Sequence, residues 1–276
     1  MLLDCAGKSL DLSQPQIMGI LNVTPDSFSD GGDYFSTTAA VERARRMVDE
    51  GAAIIDVGGE STRPGAQSVT PDEELRRVLP VIEALHDALP VPVSVDTRKP
   101  QVMRAAVAAG AGMINDVNAL RAEGAVGVAS ELGVPVCLMH MQGEPESMQT
   151  APRYAEVVDE VIGFLLDRVA DCLAAGVARQ HILVDPGFGF GKTAEHNLRL
   201  LRHLDRLAEQ GYPVLVGLSR KSLIGQVLGL PVDKRMYAGV ALAVLAVWQG
   251  AAIVRCHDVL ETREAIRMCK AVRDSR

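Results

Sequence analysis

Short apolar runs recur along the chain at residues 17–21, 53–57, 91–95, 112–114, 134–139, 181–184, 214–218 and 251–254. They are rich in Val, Ile and Leu and do not alternate with polar residues, as expected of strands buried on both faces. Between them lie segments of helical periodicity, at 39–50, 71–88, 101–109, 121–132, 154–175, 195–210, 234–249 and 260–272. Pro71 and Pro100 stand where a helix start tolerates proline, and Gly51, Gly110, Gly176 and Gly211 stand where helices end. Strands alternating with helices predict right-handed βαβ units and a parallel sheet. Eight such units favour one closed (β/α)8 barrel of the TIM type over an open sheet. No linker interrupts the pattern, so residues 1–276 read as a single α/β domain. Residues 1–14 read as an N-terminal edge segment, a small hairpin covering one end of the barrel.

The same end of nearly every strand is polar. Reading off those ends gives Asn22, Asp56, Asp96, Asn115 or Asp116, Met139-His140, Asp185, Ser219-Arg220-Lys221 and Arg255-Cys256-His257-Asp258. In a (β/α)8 barrel these C-terminal strand ends form the active face. A single such residue is a cap or a satisfied core group. This many on one face, each costing roughly 1–3 kcal/mol if left unpaired, points to a binding site. The charges divide: acids and amides on the early strands (Asp56, Asp96, Asn115, Asp185), cations on the late ones (Lys221, Arg255, His257). Arg63 reaches in from the second loop, where Gly58-Gly59 permit a sharp turn and Ser61-Thr62-Arg63 supply donors for an anion. The pattern suits a ligand with a donor-rich planar edge at one end and an anionic tail at the other.

Composition narrows the partners. Net charge is −7, with no basic block, which argues against nucleic acid. Hydrophobic residues make up 48% and aromatics only 4%, so the core is aliphatic. The five cysteines are scattered without a C-x-x-C, which argues against a disulfide framework or a zinc site and suits a reducing, cytoplasmic setting. The N-terminus lacks the basic-then-apolar pattern of a signal peptide, and the apolar run 238–248 is too short to span a bilayer. That run is apolar almost all round, more than one barrel-facing stripe requires, and predicts a homodimer built on late outer helices.

The strand-end residues also carry a family resemblance. The run from Met18 through Asn22-Val23-Thr24-Pro25-Asp26-Ser27-Phe28 to Gly32 resembles the first signature of the dihydropteroate synthases, and Asp56 to Gly65 resembles the second. Val95-Asp96-Thr97, Ile114-Asn115-Asp116, Met139 to Gly143, Asp185 to Lys192, Ser219 to Ser222 and Arg255 to Asp258 continue the series in order, over essentially the whole chain. The resemblance implies condensation of 4-aminobenzoate with 6-hydroxymethyl-7,8-dihydropterin diphosphate, releasing pyrophosphate. It implies that Asp96, Asn115 and Asp185 read the pterin ring, with Asp56 nearby and Lys221 on the oxygen-bearing side. Thr62, Arg63, Arg255 and His257 would hold the diphosphate and Asn22 would ligate Mg2+. Phe28, Pro64, Phe190 and Ser222 would flank the aminobenzoate. Two departures from the usual pattern, Cys256 and Tyr237-Ala238-Gly239, touch none of these roles, although the second bears on helix packing or dimer contacts.

Plain structural readings stand beside these. Glu60 reads as a solvated or structural loop acid, His140 as a satisfied histidine, and His181 as a residue of the opposite barrel end. Asn115 and Asp116 point to opposite sides of one strand, and only the resemblance chooses Asn115. Asp185-Pro186-Gly187-Phe188-Gly189 lacks the G-x-G-x-x-G spacing of a nucleotide loop. Two rivals remain: a folate-dependent methyltransferase, which shares the ring-reading acids but not the diphosphate loops, and a catalytically silent pterin-binding paralogue. Intact Asn22, Arg63, Lys221 and His257 argue against the second.

Overall fold

The structure, a computed structural model, describes residues 1–24, 37–61, 68–143 and 148–275. Eight parallel strands form the barrel: β3 (Gln16–Asn22), β4 (Ile54–Gly58), β5 (Val93–Asp96), β6 (Met113–Asp116), β7 (Val136–Met139), β8 (Ile182–Asp185), β9 (Leu215–Gly217) and β10 (Ile253–Cys256). Their order is β8-β7-β6-β5-β4-β3-β10-β9. The Val184–Val214 bridge closes the ring, with Val184 N donating to Pro213 O at 3.0 Å. The fold is a single (β/α)8 barrel. Each run of apolar residues in the sequence coincides with one of these strands.

Helices α1 (Thr37–Glu50), α2 (Pro71–Ala88), α3 (Pro100–Ala108), α4 (Ala125–Leu132), α5 (Val157–Ala174), α6 (Ala194–Arg202), α7 (Leu204–Ala208), α8 (Ser222–Leu228), α9 (Met236–Trp248) and α10 (Val259–Arg273) surround it. Three departures from the periodicity have visible causes. The stretch read as one helix over 195–210 breaks at His203, and Gln249 Nε2 takes the Arg202 carbonyl at 2.6 Å. The helix read from 121 starts only at Ala125. Before it, Ala119 and Leu120 adopt positive φ, held by Asp116, whose carboxylate accepts from Asn118 N (2.7 Å) and Leu120 N (2.8 Å). Helix α8 follows Lys221 directly, inside what reads in the sequence as loop.

Strand alternation builds the interior in layers. Met18, Ile54, Met113, Cys137, Leu183, Leu215 and Ile253 point inward at the bottom and join one apolar cluster with Leu3, Cys5 and Leu10. The last three belong to an antiparallel hairpin, β1 (Leu2–Cys5) and β2 (Lys8–Asp11), which plugs the N-terminal end. Two residues further along each strand, the same inward direction is taken by Ile20, Asp56, Asn115, Met139, Asp185, Gly217 and Arg255, while Asp96 follows Ser94. The alternate positions, such as Ile55, Val57, Val95, Ile114, Leu138 and Val184, pack outward under the helices. An apolar floor thus lies one layer beneath a polar one.

Two glycines give opposed expectations for stability. A Cβ on Gly112 would lie 2.2 Å from the Cys5 carbonyl oxygen, so Gly112→Ala forces the hairpin off the barrel floor and should cost roughly 1–3 kcal/mol. A Cβ on Gly163, exposed within α5, meets nothing within 4 Å, so Gly163→Ala should stabilise by about 0.5–1 kcal/mol. Urea unfolding of both variants checks the pair, and equal midpoints would contradict the hairpin's docking.

Candidate functional site

The polar layer is knitted together by one guanidinium. Arg255 on β10 donates from Nε to Asp56 Oδ2 at 2.6 Å and from Nη2 to Asp96 Oδ2 at 2.8 Å. Asn115 Nδ2 donates to the same Asp56 Oδ2 at 3.0 Å. Asp56 is fully buried, and its Oδ1 has no hydrogen-bond partner. An orphan carboxylate oxygen inside a protein is costly, and here it lies in the layer that closes the top of the barrel. Burial drives the Asp96 carboxyl up to about 7 against the pull of Arg255. The Arg255 guanidinium opposes that rise by favouring the ionised form.

Asp185 begins the loop after β8. Its Oδ1 accepts from Gly187 N at 2.7 Å, and burial raises its carboxyl to about 6 despite that bond and the nearby Lys221 ammonium. Lys221, at the N-terminal edge of α8, lies with Nζ 4.1 Å from the centroid of the Phe190 ring, a cation–π distance. Burial lowers its pKa to about 8, opposed chiefly by Asp185. Phe190 belongs to an apolar cluster with Val117, Met139, Met141 and Met148 on the same side of the barrel mouth. Such a wall suits one face of a flat ring. The resemblance points to Phe190 but not to the methionines, although Met139, Met141 and Met148, within ten positions of one another, are a visible trace of the wall.

At the other side, His257 Nδ1 lies 3.0 Å from Ser219 Oγ, and its backbone N–H donates to the same oxygen at 3.3 Å. Asn22 ends β3 opposite Gly58, with its Oδ1 3.8 Å from where a Cβ on Gly58 would stand and Asp96 Oδ2 3.7 Å from that point. Gly58 therefore leaves the space between them open. Ser222 is the exposed first residue of α8. Phe28, Thr62, Arg63 and Pro64 lie outside the described residues.

The division of charge read from the sequence needs one correction. Arg255 does not stand apart with the late cations; it is committed to two of the early acids. The reason is placement: β10 is separated from β4 by one strand and from β5 by two, so the inward-pointing Arg255 side chain reaches Asp56 and Asp96, which would otherwise repel. Other residues settle into supporting roles. Asn115 turns inward and Asp116 outward, to staple its own loop. Glu60 pairs with Arg98 at 3.1 Å and with Lys99, which also meets buried Glu74, so it ties the β4 and β5 ends to α2. His140 is buried and held neutral, its pKa driven down to about 2 by burial and by the Lys192 ammonium. His181 precedes β8 at the far end of the barrel. Among the described residues no group of three or more His, Cys, Asp or Glu is arranged to hold a metal by itself.

Comparison with known proteins agrees with this geometry. The family model described as pterin binding enzyme matches residues 18–257. The chain is 52% identical over 271 residues to the dihydropteroate synthase of Escherichia coli strain K12, covering 98% of this chain and 96% of that one. A solved Xanthomonas albilineans dihydropteroate synthase with 4-aminobenzoic acid superposes with a TM-score of 0.95 at 52% identity, over 100% of this chain and 99% of that one. A Yersinia pestis dihydropteroate synthase in a sulfonamide drug complex superposes at 0.95 and 50%, over the full length of both. With the motifs in order, the barrel closed and the acids gathered on its mouth, the chain belongs to the pterin-binding enzymes, in the dihydropteroate synthase family.

Proposed function

We propose that this chain condenses 4-aminobenzoate with 6-hydroxymethyl-7,8-dihydropterin diphosphate, giving 7,8-dihydropteroate and pyrophosphate on the route to folate. The observation that carries the reading is the buried acceptor layer, with Asp56 Oδ1 unpartnered beside Asp96, Asn115 and Asp185. A guanidine-like ring edge offers the N–H donors such a layer lacks, in charge-assisted bonds of roughly 1.5–3 kcal/mol each. A Xanthomonas albilineans relative, 49% identical, has been solved in complex with 7,8-dihydropteroate.

In this reading Asp185 and Asn115 accept from the ring edge, Lys221 donates to the ring's oxygen-bearing side, and the cluster around Met139 and Phe190 covers one face. The bond from the methylene carbon to the diphosphate oxygen breaks first, and its electron pair leaves with pyrophosphate. Positive charge spreads into the pterin, where the neighbouring acids favour it. The arylamine nitrogen then attacks the methylene carbon and loses its proton to solvent. The protein supplies position and charge, and no strong base is required.

Asn22 presents the hard amide oxygen that Mg2+ accepts. With no protein cage for it among the described residues, the ion would share the substrate's phosphates, as Mg2+ commonly does. Bound there, Mg2+ supplies positive charge for the departing pyrophosphate. His257 is assigned to the same anion, as are Arg63 and Thr62 of the second loop, which lie outside the described residues. Arg255 stands between ring and diphosphate, its charge already shared with its two acids. Phe28, Pro64 and Ser222 complete the aminobenzoate side with Phe190.

The exposed apolar residues of the late helices, Tyr237, Leu245 and Trp248 on α9 with Met268 and Val272 on α10, support a homodimer through this face. All five cysteines are free and buried, which suits the reducing cytoplasm. No described helix is long and apolar enough to cross a membrane.

Pyrophosphate release with both substrates tests the activity. Its kcat/KM for the pterin diphosphate should rise as Asp185 ionises around pH 6 and fall as Lys221 deprotonates around pH 8. A flat profile between pH 5 and 9 would remove both residues from the site. Arg255→Ala should leave Asp56 and Asp96 buried without their cation, costing about 3–5 kcal/mol of stability and most of the turnover. If it melted and turned over like wild type, the bridge would have no role. Leu245→Glu should shift a dimer towards monomer in light scattering, and an unchanged mass would move the interface elsewhere.

A further inference from the structure

The loop after β8 is organised around a buried ammonium that none of the roles above uses. Lys192 is only 3% exposed. Its Nζ donates to Gly187 O at 2.9 Å and Phe190 O at 3.0 Å within its own loop. Across the gap to the end of β7 it reaches His140 Nδ1 at 2.9 Å and His140 O at 3.3 Å. Its N–H donors are shared among four acceptors, and burial pushes the amine well below the usual lysine range while Asp185 pulls it back up. The imidazole is neutral, so Nδ1 is free to accept.

The loop is shaped to bring those acceptors together. Gly187, Gly189 and Gly191 all have positive φ, at 68°, 82° and 61°, and this turns the 187 and 190 carbonyls towards one point. Other polar groups of the loop are also tied. Gly189 N donates to Asn197 Oδ1 at 2.8 Å, and Gly191 O accepts from Tyr154 Oη at 2.8 Å. What the loop carries is the pocket. Asp185 begins it, Gly189 lies against the Lys221 stem, and the Phe190 ring lies under the Lys221 ammonium.

We infer that Lys192 is a positioning residue: its ammonium clamps the 187–191 loop to the end of β7 and so holds Phe190 and Asp185 at the substrate pocket. This rests on the reading of the pocket given under Proposed function. Lys192 touches no substrate atom and acts only through the loop. Without it the Phe190 carbonyl would be unpaired in the interior, while Gly187 O would keep only the Phe190 N–H at 3.1 Å, and the loop would turn the Phe190 carbonyl towards water. The Phe190 carbonyl belongs to the residue that carries the ring, so that turn displaces the ring from beneath Lys221.

The test uses the full chain with both substrates varied. Lys192→Met keeps the stem and removes the donors; Lys192→Gln returns two N–H donors on a shorter stem. In the folded Met variant KM for 4-aminobenzoate should rise on the order of tenfold, as expected when a buried carbonyl loses its partner, with kcat changing less. The Gln variant should fall between it and wild type. In a Phe190→Leu background the further change on Lys192→Met should be under about twofold, because both act on one wall. Multiplicative losses in the double variant, or a wild-type KM in the single ones, would overturn the inference. If the Met variant does not fold, Lys192→Gln with and without Phe190→Leu decides by the same criterion. A wild-type chain that releases no pyrophosphate overturns the reading of the pocket and this inference with it. A wild type that turns over beside unchanged variants overturns the inference alone.

Discussion

One guanidinium inside the barrel mouth makes the rest of the site possible. Asp56 and Asp96 are carboxylates with almost no exposure, and each alone would pay the desolvation cost of a buried charge. Arg255 answers both at once through separate nitrogens of its planar fork, a geometry a lysine cannot reproduce. The arrangement leaves Asp56 Oδ1 unsatisfied and keeps Asn115 aimed by its bond to Oδ2. The free chain therefore carries part of its ligand's hydrogen-bond demand as a standing cost, which a donor-bearing ring relieves.

The architecture was legible because it follows from alternation. Once 53–57 is read as a strand buried on both faces, Ile54 and Asp56 share a direction, and the same holds for Met113 and Asn115 or Leu183 and Asp185. That places an acid one layer above an apolar floor without reference to any relative. Side-chain pairing across the barrel was not legible. Arg255 meets Asp56 at a sequence separation of 199, and nothing local distinguishes an arginine that binds an anion from one that neutralises buried acids. Helix boundaries failed where the chain makes tertiary bonds in place of local ones. The turn over 116–120 is set by the Asp116 carboxylate and by Arg168 Nε donating to Ala119 O at 2.8 Å, partners 49 residues apart. Lys192 ends the motif that runs from Asp185, yet a lysine after a glycine-rich loop ordinarily reads as solvated.

Two strand-end loops use one device. Glu60, Arg98, Lys99 and Glu74 form an ion network that ties the β4 and β5 ends to the first turns of α2, and Glu74 is itself buried. On the opposite wall Lys192 does the equivalent work with carbonyls and a neutral imidazole. Both place a cation where loop backbone or carboxylate would otherwise lack a partner. Cations thus lie beside or beneath the site on more than one side, in a chain whose net charge is −7. Local field, not overall charge, sets what the mouth attracts.

That distinction bears on how the chemistry divides. The ring end is acidic by residue count but already neutralised in part by Arg255, so it offers acceptors without a large excess of negative charge. A developing cation on the ring meets carboxylates whose hydrogen bonds strengthen as charge grows, which favours the transition state over the ground state. The anionic end needs the reverse, cations that are not already spent. Arg255 is largely spent, and in the proposed reading the leaving group then depends on His257, on the Mg2+ proposed at Asn22 and on the second loop. A site assembled this way keeps opposite charges within one barrel mouth without letting them cancel, because backbone register fixes which partner each can reach.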